Sequence, residues 1–105
     1  MIFQALEKLL KKISSFRISF EDGSYIEYYH GQAILYCDAD HQRKMEILWS
    51  FHPKYASGKI LRRSDINHWA PPNEAQLLTP EQKTSIEKKI VEYCRRKKMH
   101  LEIVD

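Results

Sequence analysis

Between Phe16 and Phe51 the chain is a succession of strand-like runs separated by strong turn signals. Phe16, Ile18 and Phe20 alternate with Arg17 and Ser19, "EDGS" puts Asp22-Gly23 at a tight turn, and "YIEYY" returns. A period of two belongs to a strand with two unlike faces, and Asp-Gly accepts the positive φ that a hairpin turn demands. "HGQ" then turns the chain into "AILYC", whose unbroken apolar character suits a central strand. After "DADHQ", Met45, Ile47, Trp49 and Phe51 line one face of a long fourth strand, with Lys44, Glu46 and Ser50 on the other. The expectation is a four-stranded antiparallel meander.

The pattern changes after "KILRRS", a short fifth strand. Trp69, Pro71 and Pro72 form a corner that stops the strand, because proline cannot donate to a ladder and restricts the residue before it. Thr79-Pro80-Glu81-Gln82 then supplies an N-cap hydroxyl, a proline at the first helical position and a capping-box glutamine. A helix over 80–98 follows, with Ile86, Ile90 and Tyr93, joined by Val91 or Cys94, as its buried stripe. "RRKK" sits where cations favour the negative end of the helix dipole, so this basic run needs no ligand. "HLEIVD" closes with a strand over 100–104. At the other end, Phe3, Leu6, Leu10 and Ile13 recur at helical spacing and predict an amphipathic helix over 1–13. The fold class read from these elements is α+β. One antiparallel sheet of five to six strands, most of them over 16–69, carries an N-terminal and a C-terminal helix.

With 105 residues, 43% of them hydrophobic and 30% charged, the chain has material for one core over 1–105 and little for an internal cofactor cavity. The net charge of +3, from 17 Lys and Arg against 14 Asp and Glu, permits nucleic-acid contact without demanding it. Glu7, Lys8, Lys11 and Lys12 interrupt the apolar residues of the first segment, which therefore does not read as a signal peptide. Cys37 and Cys94 form no CxxC pair and are expected as reduced, buried thiols of a cytoplasmic protein.

Catalytic signatures are sparse. The five histidines, His30, His41, His52, His68 and His100, are scattered at turns and element ends with no metal-ligand spacing, although folding could still bring two together for acid and base work. There is no GxSxG, and three glycines leave no room for a phosphate-cradling loop. Neither enzyme activity, a metal nor a cofactor is expected. Tyr25, Tyr28, Tyr29 and Tyr36 cluster on the second and third strands beside acidic residues, which suits a protein interface as well as ordinary cross-strand packing. Glu27, Tyr29, Asp38, Asp40 and Glu46 are the candidate partner-binding residues. The alternative is a small nucleic-acid-binding protein that uses the basic helix end and the sheet tyrosines.

The run "SDINHWAPPNEAQLLTPEQKTSIEKKIVEYCRRKKMHLEIV" resembles a bacterial polymorphic-toxin immunity family, the one numbered seventy-four among predicted immunity proteins. Trp69, Pro71 and Pro72 match its corner, Thr79 precedes its helix, Ile86 and Ile90 match its helical apolar positions, and Glu102, Ile103 and Val104 match its last strand. Where the family has a turn glycine before that strand, this chain has Lys98, Met99 and His100. The resemblance implies a cytoplasmic monomer that binds the C-terminal domain of a cognate toxin one to one, as in contact-dependent growth inhibition. The implied toxin is a nuclease. No direct contact with nucleic acid or membrane is implied.

Overall fold

The computed structural model describes residues 17–105, so the helix expected over 1–13 lies outside the described residues. Four strands, β1 (Arg17–Ser19), β2 (Tyr25–His30), β3 (Ala33–Cys37) and β4 (Lys44–Leu48), form an antiparallel meander in chain order. Gly23 adopts φ +93° in the first turn, and a Cβ there would lie 2.9 Å from the Ala39 carbonyl oxygen. Both the dihedral and the close approach require glycine. The register sets Ile18, Ile26, Tyr36 and Met45 side by side on one face and Arg17, Glu27, Leu35 and Glu46 on the other.

The long fourth strand and the single sheet are corrected by the structure. The strand breaks at Trp49, whose N–H donates to the Gln32 carbonyl, and the chain continues as β5 (Ser50–Phe51) in a second sheet with β6 (Lys59–Arg62) and β7 (Leu101–Val104). Trp49 still enters the core, but Phe51 does not follow the alternation inward: it is 56% exposed and packs against Lys59. The order of the second sheet is β5-β6-β7, and β6 and β7 are parallel, not antiparallel. A parallel pair needs a crossover, and here it runs through a short 3-10 turn (Arg63–Asp65), the tryptophan corner and helix α1 (Pro80–Arg96).

The start of α1 is the expected one. Thr79 Oγ1 accepts from the Gln82 N–H, and Gln82 Oε1 accepts from the Thr79 N–H, with Pro80 at the first position. Ile86, Ile90, Tyr93 and Cys94 are buried, while Val91 faces outward. These side chains meet Ile26, Ile34, Tyr36, Met45 and Ile47 of the first sheet and Leu61 of the second in one core cluster. The helix thus joins the two sheets. At its end Lys98 takes φ +56°, the Met99 N–H donates to the Cys94 carbonyl and the Lys98 N–H to the Arg95 carbonyl. This is a Schellman closure with lysine in the left-handed position that glycine occupies at lowest cost. Among the described residues no helix is long and apolar enough to cross a membrane.

Candidate functional site

The five candidate binding residues separate into two places. Glu27 and Glu46 stand in one row across the outer face of the meander, flanking Leu35. Tyr29 joins them through an irregularity that the sequence does not announce: the β2–β3 register shifts between Tyr28 and His30. An extra residue in one strand re-aims its neighbours. Tyr29 and His30 meet edge to face at 5.0 Å, and His30 Nε2 lies 3.9 Å from Glu46 Oε1. Tyr29, His30, Glu46 and Leu48 are exposed. Glu27 is paired with Arg17 at 3.0 Å, so this face is more aromatic and less acidic than composition suggests.

Asp38 and Asp40 lie instead in the β3–β4 turn. Asp40 is exposed, whereas Asp38 is buried and turned inward. Its Oδ1 accepts from the backbone N–H groups of Gln42 and Arg43, and its Oδ2 accepts from Arg43 Nε at 2.8 Å. Burial alone would raise the Asp38 carboxyl, but these donors outweigh it and hold the group below the usual carboxylate range. The same Arg43 guanidinium lies 4.3 Å from the centre of the Trp69 ring and donates to Gln76 in the loop before α1. Trp69 is buried against Tyr36, the Ala70 N–H donates to the Lys44 carbonyl, and the Pro71–Pro72 bond is cis. One arginine therefore ties the turn to the corner.

The tyrosines divide by burial and not by face. Tyr25 and Tyr36 are buried; Tyr28 and Tyr29 are half exposed. Tyr28 borders a groove of about 590 Å³ between the two sheets and the end of α1, with Gly31, Phe51, Lys59, Tyr93, Lys97 and Met99 among its other walls. Lys59 is buried there, although nothing in its sequence neighbourhood singles it out. Its Nζ donates to the Gly31 carbonyl at 2.8 Å and stands 3.8 Å from the Phe51 ring centre. Burial lowers its pKa.

The scattered histidines do produce one pair. His52 and His100 meet edge to face at 5.1 Å, and His100 stacks on Tyr55 at 3.9 Å. The His52 side chain is only 5% exposed and both its nitrogens are engaged: Nδ1 accepts from the Lys54 N–H, and Nε2 lies 3.2 Å from Glu102 Oε1. With Nδ1 accepting, the lone pair a general base would use is already occupied. Cys37 and Cys94 are free and buried, and burial pushes the Cys94 thiol up to about 12, far from a reactive thiolate. At the basic helix end, Arg95 and Arg96 both pair with Glu92, which reduces the positive surface available to a phosphate backbone.

Residues 37–104 match the model of the family described as Immunity protein 74. No curated protein and no solved structure matches the chain. The matched span runs from the end of β3 through β4, the tryptophan corner and the capped helix to the end of β7, and includes the Asp38–Arg43–Trp69 lock and Lys59. With most of its length inside that match, the chain belongs to the Immunity protein 74 family.

Proposed function

We propose that this protein neutralises the C-terminal toxin domain of a polymorphic or contact-dependent system by forming a one-to-one complex in the cytoplasm, without catalysis of its own. The family match carries this reading. Its physical support is a surface already fixed before the partner arrives. The meander is braced from behind by α1, and its outer face presents Tyr29, His30, Glu46 and Leu48 on ordered strands. Such a surface loses little conformational freedom on binding, which favours slow dissociation.

A nuclease is the toxin class that best suits Glu46 and Asp40, since exposed carboxylates steer a basic nucleic-acid cleft. Asp38 contributes to that surface only by holding the turn that carries Asp40. The engaged nitrogens of His52 and the high-pKa thiol of Cys94 weigh against a hydrolytic role.

The test is coexpression with the toxin domain encoded beside this chain's gene. Protection of the cells together with co-purification of a one-to-one complex is expected. Toxicity that persists at equal expression, with no complex recovered, would refute the reading.

A further inference from the structure

Lys59 is a buried ammonium with an incomplete set of partners. It has three N–H donors, and among the described residues the Gly31 carbonyl is its one hydrogen-bond acceptor. No carboxylate of the described residues pairs with it, and the nearby Cys94 thiol stays protonated and carries no charge. Phe51 at 3.8 Å and Trp49 at 5.7 Å offer ring faces that compensate a cation only in part. Lys59 also lines the open groove, and a second ammonium, that of Lys97, stands on the same groove 6.0 Å from the Tyr93 ring. Apart from Ser57, the other side chains of the groove's walls are apolar or aromatic: Tyr28, Phe51, Tyr93 and Met99.

We propose that this groove receives a carboxylate side chain of the toxin domain, carried beside an apolar or aromatic residue, with Lys59 and Lys97 as its counter-charges. The proposal rests on the immunity reading and deepens it by naming the chemistry of the partner. Two cations on an apolar groove are complementary to an anion with an apolar flank. An Asp or Glu inserted there supplies the acceptor that Lys59 lacks and exchanges water for a charge-assisted hydrogen bond. The groove also adjoins the outer face: Tyr28 and Tyr29 are consecutive, one at the groove and the other beside His30, so a single partner can cover both.

The experiment has two arms on the full chain. In the first, backbone amide spectra are followed during titration with benzoate and, separately, with benzyl alcohol, which keeps the ring and lacks the carboxylate. Benzoate should shift Gly31, Ser57 and Lys59, and its affinity should fall about tenfold in both Lys59→Met and the rim variant Lys97→Gln. Equal effects of benzoate and benzyl alcohol, no effect of either, or stronger competition by a single-stranded oligonucleotide would overturn the carboxylate assignment.

In the second arm, the toxin domain is titrated with the wild type and both variants. A loss of about tenfold or more in each variant is expected. Unchanged binding of both variants overturns the groove proposal while leaving the immunity reading intact. Failure of the wild type to bind overturns the immunity reading and the toxin as occupant, and the benzoate arm still judges the groove's chemistry.

Discussion

Asp38 and Lys59 are the two buried charged side chains of the described residues, at 6% and 8% exposure, and they are completed to different degrees. Asp38 has three donors, one of them a guanidinium, and its partner Arg43 continues to Trp69 and Gln76. Among the described residues Lys59 has one carbonyl and two ring faces. Burial disfavours the charged form of both, and the balance comes out oppositely: the donors win at Asp38, desolvation wins at Lys59. A charge whose partners are all supplied from within the fold holds the fold together. One left short of partners at the wall of an open groove is a place where something from outside can complete it.

Removing the ring at the centre of the completed end should have the largest effect. Trp69→Ala empties a buried site beneath Arg43 and Tyr36 and should cost about 3 to 5 kcal/mol, read by denaturant unfolding. Asp38→Asn comes next: it keeps an acceptor for the turn amides but leaves Arg43 without its counter-charge, at a cost of about 2 to 3 kcal/mol at neutral pH. Because the folded-state pKa of Asp38 lies below its ordinary 3.8, the stabilisation is fully present above that value. It is lost as pH falls through the folded-state pKa. The Asp22 carboxyl behaves alike: burial raises it, but donation from Lys89 and Ser24 brings it to about 2. Melting temperatures recorded from neutral pH downward should therefore converge for wild type and Asp38→Asn only below 3.8. A constant gap into strong acid would remove the charge from the explanation.

At the unfinished end, Lys59→Met should change stability by less than about 1 kcal/mol in either direction, because the methionine avoids the desolvation that lysine suffers there. A loss of several kcal/mol would place Lys59 with Asp38 as a structural group. A comparably small effect belongs to the helix end. Lys98→Gly relieves the left-handed position and should stabilise by about 0.5 to 1 kcal/mol, with no consequence for either end of the comparison.

Much of the completed end was legible in the sequence, since its signals are local. The Asp22-Gly23 turn, the Thr79 capping box, the proline corner and the apolar stripe of α1 each depend on residues a few positions apart. The unfinished end was not legible, because it depends on which strand pairs with which. The period-two run through Trp49, Ser50 and Phe51 reads identically whether the strand stays in one sheet or crosses to another. That crossing exposes Phe51 and opens the groove at Lys59. The parallel pairing of β7 escaped for the same reason: alternation in "HLEIVD" specifies faces, not direction. Among the candidate binding residues, acidity alone could not separate Asp38 from Asp40. Arg43 draws one inward and leaves the other in solvent.

The most direct measurement sets stability against toxin binding for Asp38→Asn and Lys59→Met side by side. Each would be unfolded in denaturant and then titrated with the toxin domain under conditions where it is folded. Asp38→Asn should be less stable yet bind within about threefold of the wild type, while Lys59→Met should be as stable as the wild type and bind at least about tenfold more weakly. The reverse pattern, a destabilised Lys59→Met that still binds and a stable Asp38→Asn that does not, would contradict this division of roles.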